Sequence, residues 1–282
     1  MTSTLFRIPL GTWVDAALTW IIASSGDFFN VIRSIFLAAF NGLSWLLSAP
    51  PFWAVIVILA LLAFLAKGWK MGLGTVLGFG LIYGVNQWEN AMASLALVLV
   101  SSAIAIAISI PLGIFTAKSS TASAAVKPVL DLMQTMPAFV YLIPALLLFR
   151  VGVVPGIVAT IIFSLAPGVR FTELGIRGVD KEVVEAGHAF GSSPRRILGQ
   201  IQLPLAMPTI MAGINQVIML SLSMVVIAGM VGAGGLGGDV VKSLSRIDAS
   251  LGFEAGISVV ILAIFLDRLT AGLSKRAASN IG

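Results

Sequence analysis

Ionisable side chains in this sequence are gathered into short intervals, and long apolar runs separate them. A run of about twenty residues with almost no charge is long enough to cross the hydrocarbon of a bilayer as a helix. Only 10% of the 282 residues are charged and 58% are hydrophobic, against about 25% charged in a soluble domain. The chain therefore reads as an all-α integral membrane protein. A net charge of +5 and a pI near 9.9 would suggest nucleic acid in a soluble protein. Here the basic residues sit in loops that stay cytoplasmic, so no nucleic-acid partner is expected. With no cysteine, disulfides, thiolate catalysis and cysteine metal sites are excluded together. The one histidine, His188, is poor material for a metal centre. Met1–Gly11 lacks a basic region followed by an apolar core and a small-residue cleavage site, so no cleaved leader is expected.

Taken in order, residues 12–48 are apolar but interrupted by a polar stripe. It includes Asn30, Arg33, Ser34, Asn41, Ser44 and Ser48. Such a stripe suits helices lying in the membrane interface, where Trp13, Trp20 and Trp45 would be at home. A span over 28–47 is the alternative, and it would put Arg33 and Asn41 in hydrocarbon. Seven spans follow: 52–66, 71–88, 91–117, 128–149, 155–174, 209–231 and 253–273. The fourth is broken by Pro137 and Pro144. Residues 118–127 read as a serine- and alanine-rich loop, and 232–250 as a glycine-rich loop with a polar tail. The domain reading is an interfacial scaffold over 1–50, two peripheral helices over 51–89, a core over 90–273 and a cytoplasmic tail over 274–282. Placing the 67–70 turn, the 118–127 loop, the 179–208 insert and the C-terminus on one side gives that side 12 of the 17 basic residues. The positive-inside rule makes it the cytoplasmic side. Membrane lipid is the surrounding partner.

The insert at 179–208 is the longest polar interval in the C-terminal two thirds. Asp180 caps a short helix over 181–190, and Gly191 ends it in the left-handed conformation. Ser193 caps a second helix with Pro194 at its first position. That helix is expected to stop before Pro204. Ile197, Leu198 and Ile201 form its apolar face, expected to pack back on the membrane domain. Arg195 and Arg196 occupy its first turn, the less favourable end of the helix dipole, which suggests a partner that wants them there. The insert reads as a folded knob shaped to fit another protein.

Catalytic sets are missing: there is no phosphate-binding loop, no zinc-binding helix pair and no serine with a histidine base. Asp131, Arg170, Glu173, Asp267 and Arg268 lie near cytoplasmic ends, where structural pairing is cheap. The polar groups in mid-span are neutral: Gln134, Thr135, Asn215, Gln216, Ser221 and Ser223. They serve either as bonds between helices or as the lining of a pathway. Phe139 and Tyr141, beside Pro137, join the pathway candidates, as do Met136 and Met224 with their adaptable thioethers. No catalytic or metal-binding residue is expected, and energy would come from a partner.

Glu185-Ala186-Gly187-x-x-x-Gly191, nine residues, then Ile201-x-Leu203-Pro204 resembles the signature loop of ABC-importer permeases, with Gly187 replacing the second alanine of the family pattern. The stretches 131–142, 203–213 and 220–228 are similar to the glycine betaine/proline (quaternary amine) permeases in particular. The resemblance implies a type I permease fold and a multi-pass protein of the bacterial inner membrane. It implies two permease copies, two cytosolic ATPases that bind ATP and Mg, and an external substrate-binding protein. It assigns Glu185, Ala186, Gly187, Gly191, Ile201, Leu203 and Pro204 to contact with the ATPase, and Arg195 and Arg196, inside the same loop, are expected to join them. Glycine betaine, proline, proline betaine, choline, carnitine and trimethylamine oxide are all compatible cargoes. A permease for another small solute, such as an amino acid, and a self-sufficient carrier are the alternatives.

Overall fold

A computed structural model of the chain describes residues 9–279, with side chains described through Ser274. Arg7, one of the five basic residues left for the outer side by that count, lies outside the described residues. The described residues are helical almost throughout: α1 (Leu10–Ser48), α2 (Phe52–Lys67), α3 (Trp69–Gly84), α4 (Trp88–Lys118), α5 (Ser120–Thr135), α6 (Ala138–Phe149), α7 (Val153–Arg177), α8 (Lys181–Ala189), α9 (Pro194–Ile197), a π-helical turn (Leu198–Gln202), α10 (Leu203–Ser223), α11 (Val225–Met230), α12 (Gly235–Arg246) and α13 (Ala249–Ser279). Five stretches are long and apolar enough to cross a membrane, or six if α5 and α6 count as one bent span.

The most enclosed helix is α7, which packs chiefly against α4 and α10. Small residues make this possible. A Cβ on Gly213 of α10 would stand 2.6 Å from Phe171 Cβ, and one on Gly113 of α4 would stand 2.8 Å from the Val169 carbonyl. Both glycines let backbones approach where any side chain would hold them apart. The main core runs through this contact and includes Leu95, Val98, Ile157, Val169 and Val217.

Contacts sort the connections to two ends of the bundle. At one end Gly272 abuts Ala66, Gly175 abuts Thr209, and Ser123 donates to Glu173 at 2.7 Å. This end holds the 67–70 turn, the α4–α5 junction and the 179–208 insert. The opposite end holds the Gly152–Val231 backbone bond and a buried Asp239 carboxylate. That carboxylate accepts from Asn90 at 2.6 Å, Lys242 at 2.8 Å and Gln87 at 3.2 Å. Helices α2 and α3 form an antiparallel hairpin about Gly68, whose φ of +91° few other residues adopt. Aromatic contacts seat the hairpin: Phe52 stacks on Tyr83 at 3.8 Å, and Phe79 meets Phe265 of α13 edge-on at 5.1 Å.

Several expectations need correction. Residues 118–127 are not a loop: α5 begins at Ser120, capped by Ser119, whose hydroxyl accepts from the Ala122 N–H at 3.2 Å. The 128–149 stretch is not one continuous helix, although the bent pair still has the length and composition of one broken span. It turns by 98° between α5 and α6, where Met136 and Pro137 are extended with ψ of 135° and 137°. Proline disfavours the helical conformation of the residue before it, and Pro137 breaks the chain for that reason. Pro144 sits inside α6 without interrupting it. The tail of the glycine-rich loop is helix α12. The N-terminal segment, α1, is two helices that meet at a kink at Ser25 (φ −129°, ψ 20°), in keeping with the expected plural helices. No residue of α1 is fully buried, yet Phe29, Ile32, Phe36 and Phe40 pack against the core.

Candidate coupling insert and cavity

The insert is built from local signals. Asp180 accepts the Glu182 N–H at 2.9 Å and opens α8. The helix closes with Gly191 N–H on the His188 carbonyl at 2.9 Å and Ser192 N–H on the Gly187 carbonyl at 3.1 Å. That bonding pattern needs a left-handed residue, and Gly191 supplies it with φ +75°. Ser193 accepts from the Arg196 N–H at 3.4 Å and opens α9.

The second helix does not stop before Pro204. The chain passes from α9 through the π turn into α10 without leaving helical geometry. The Leu203 N–H reaches the Leu198 carbonyl, a five-residue step. Pro204 has no N–H to give, and its ring crowds the carbonyl four residues back; the wider turn relieves both problems.

The apolar face of α9 and the π turn has two uses. Ile197 is 2% exposed and packs with Ile201 against Gly187, where a Cβ would stand 2.8 Å from Ile201 Cδ1. Leu198 joins Ile176, Val179, Ala206 and Ile210 at the end of the bundle. So Gly187 is a packing position inside the insert. Glu185, Ala186, Gly191, Arg195 and Arg196 face solvent, while Leu203 and Pro204 are half-buried at the start of α10. Phe190 was not singled out in the sequence, and it is 90% exposed at the tip of α8. An aromatic between a helix and its closing glycine, in a polar insert, is the signal that marks it.

A cavity of about 430 Å³ lies between the end of α5, α7 and α10. Of the neutral mid-span groups named from the sequence it contains Gln134 and Gln216. It adds Phe163, Pro167, Arg170, Phe171 and Leu220. Residues 163, 167, 170 and 171 recur at i, i+4, i+7 and i+8, one face of α7, and that spacing was available in the sequence. Arg170 pairs with Asp131 of α5. One turn further along α7, buried Glu173 accepts from Ser123 at 2.7 Å and pairs with Arg177 at 3.2 Å and Lys127 at 3.9 Å. These contacts tie α5 to α7.

The other candidates lie elsewhere. Tyr141 is buried and donates to the Met133 carbonyl across the bend. Met136 packs against the cluster that holds Tyr141 and Met224, and Met224 is 1% exposed. Ser221 is enclosed and donates to the Val217 carbonyl at 2.8 Å. Asn215 donates to Asp267 of α13 at 3.3 Å and accepts from Thr270. Thr135, Phe139 and Ser223 are exposed on the bundle surface.

Residues 109–279 match the family described as the binding-protein-dependent transport system inner membrane component. The chain is 49% identical to a glycine betaine/carnitine transport permease protein of Listeria monocytogenes, over 97% of this chain and 98% of that one. It is 45% identical to a glycine betaine/proline betaine permease of Escherichia coli, over 97% of this chain and 77% of that one. A trimethylamine N-oxide permease of Ruegeria pomeroyi is 34% identical over 93% of this chain and 42% of its own length. Among solved structures, an inward-facing form of the MetNI methionine ABC transporter superposes with a TM-score of 0.62 at 19% identity, covering 70% of this chain and 96% of that one. That likeness is one of fold. The helical bundle, its folded insert and the match over 109–279 together place this chain in the binding-protein-dependent transport system inner membrane component family.

Proposed function

We propose that the chain is the membrane subunit of an ATP-driven importer for glycine betaine and related quaternary amines. The observation that carries this reading is the end-to-end match, at 45–49% identity, to glycine betaine permeases. The chain is a transport subunit of the inner membrane rather than an enzyme. ATP and Mg belong to the ATPase that works with it. In this reading two copies of the chain pair with two ATPases, and an external binding protein delivers the cargo. The division into a scaffold over 1–50, a hairpin over 51–89, a core over 90–273 and a tail over 274–282 belongs to the same reading.

Exposed Phe190, Glu185, Arg195 and Arg196 offer an apolar anchor ringed by charge, which suits a cleft in a partner. Closure of the ATPases on ATP would draw two such inserts together and shift the bundles between inward- and outward-open arrangements. The cavity chemistry supports the cargo class. Phe163 and Phe171 line the cavity, and aromatic rings attract a trimethylammonium group. Gln134 and Gln216 are neutral, and Arg170 is already paired with Asp131, so no unpaired charge would trap the solute.

The test is uptake of labelled glycine betaine by cells lacking their own systems, expressing this chain with the ATPase and binding protein of a glycine betaine importer. Uptake that needs ATP and is competed by carnitine or choline is the expected result. Uptake by vesicles holding this chain alone, driven by an ion gradient, would overturn the reading.

A further inference from the structure

A second cavity, of about 450 Å³, lies on the outer flank of the bundle between α3 and α13. The two helices touch at Gly78, where a Cβ would stand 2.8 Å from Ile261 Cγ2. Toward the cytoplasmic end they diverge, and a Cβ on Gly74 would meet nothing within 4 Å. The wedge between them has an apolar floor and walls, including Met71, Phe79, Ile261 and Phe265. Ile264 at its rim is 57% exposed. At its wide end stand three cations, Lys67, Lys70 and Arg268, and among the described residues no acidic side chain lines the space. Among the described residues neither lysine forms an ion pair. The nearest acid to Arg268 is Asp267, 3.8 Å away, which also accepts a hydrogen bond from Asn215.

We propose that this wedge is a binding site for an anionic phospholipid of the cytoplasmic leaflet. An acyl chain would lie over Gly74 against Phe79 and Phe265, and the headgroup phosphate would meet Lys67, Lys70 and Arg268. A long apolar slot capped by cations at the membrane surface matches the shape and charge of such a lipid. The amino-terminal end of α3, with its partial positive charge, opens at the same place. A second copy of the chain is a poor occupant. Two-fold pairing through this face would bring the same three cations against themselves with no acid between them.

The test places the full-length chain in lipid nanodiscs that contain a photoactivatable phosphatidylglycerol, its diazirine midway along one acyl chain, and maps the label by mass spectrometry. Label is expected on peptides covering 71–79 and 261–265, with a preference over the matching phosphatidylcholine probe of about tenfold or more, the scale set by several cations near an anionic surface. Lys67→Gln, Lys70→Gln and Arg268→Gln together should erase that preference. Gly74→Leu should block the labelling while exposed positions on α2 remain labelled, which controls for folding. Excess inorganic phosphate should change nothing. Equal labelling by the two probes, displacement by inorganic phosphate, or a disulfide between Gly74→Cys in one copy and Ile264→Cys in another would each overturn the proposal.

Discussion

Gly187 of α8 lies against Ile201 of the π turn, so close that an added Cβ would stand 2.8 Å from the Ile201 Cδ1 atom. The atom it meets is the tip of a flexible side chain. Gly187→Ala should therefore be absorbed by a small rotation, with uptake within about twofold of the parent and little loss of stability. Gly187→Leu overfills the contact and should cost about 1–3 kcal/mol, prying α8 from α9. Transport assays on the two variants, with protease sensitivity of the 179–208 insert, check this. Equal behaviour of alanine and leucine would show that the two helices do not pack here.

Phe190 is 90% exposed, so Phe190→Asp removes no contact within the chain. It should leave membrane insertion and melting temperature unchanged while reducing uptake and cargo-stimulated ATP hydrolysis by tenfold or more, as expected of an aromatic anchor. Glu185→Arg should do the same. Gly191→Trp should also abolish uptake, because the left-handed φ of +75° costs a side-chain-bearing residue about 1–2 kcal/mol and the indole would obstruct a partner. Normal transport by Phe190→Asp and Glu185→Arg would place the ATPase contact elsewhere.

The cavity predicts a pattern of thiol accessibility, and the absence of native cysteine makes it clean to read. Gln134→Cys and Gln216→Cys should react with membrane-impermeant reagents in one nucleotide state and be protected by glycine betaine. Ser221→Cys and Met224→Cys are enclosed and should stay unreactive. Phe139→Cys and Ser223→Cys lie on the exposed surface of one copy. Their protection by cargo would extend the pathway onto that surface, whereas labelling that ignores both nucleotide and cargo would leave them outside it.

The N-terminal segment makes a topological prediction. If 28–47 lies in the interface plane, a reporter fused just before Leu10 should be found outside the cell. A cytoplasmic reporter would mean that α1, which is long enough and apolar enough, crosses the membrane. Alkaline phosphatase and green fluorescent protein fusions at that position distinguish the two.

The insert was legible in the sequence because its structure is local. Asp180, Gly191, Ser193 and Pro194 each settle a helix end through their own backbone or a bond to a residue two or three positions on. Helix α5 was not legible: Ser120–Lys127 is rich in serine and alanine and reads as a loop by hydropathy. It is held as a helix against α7 by Glu173, fifty residues away from Ser123. Helix α12 hid for a related reason. Glycine is a poor helix former, yet Gly237 lets α12 press against Val225, and Asp239 finds Gln87 and Asn90 about 150 positions earlier. For the cavity, the lesson is in spacing. Neutral polar residues near Pro137 drew attention in sequence, whereas Phe163, Arg170 and Phe171 share one face of α7, and only assembly shows that α10 supplies Gln216 opposite them.

The π turn at Leu198–Gln202 makes the insert and the membrane interior one mechanical piece. From Pro194 to Ser223 the chain is helical throughout, a strut of about 45 Å at 1.5 Å per residue. Helical geometry is unbroken from its cytoplasmic tip to its buried end. Asn215 pins the strut to α13 through Asp267 and Thr270, near two thirds of the way along. A sideways push on Arg195 or Arg196 would become a swing of α10 about that pin. The far end, carrying Ser221, would move opposite to the push by about a third as much, on the rise per residue of a helix.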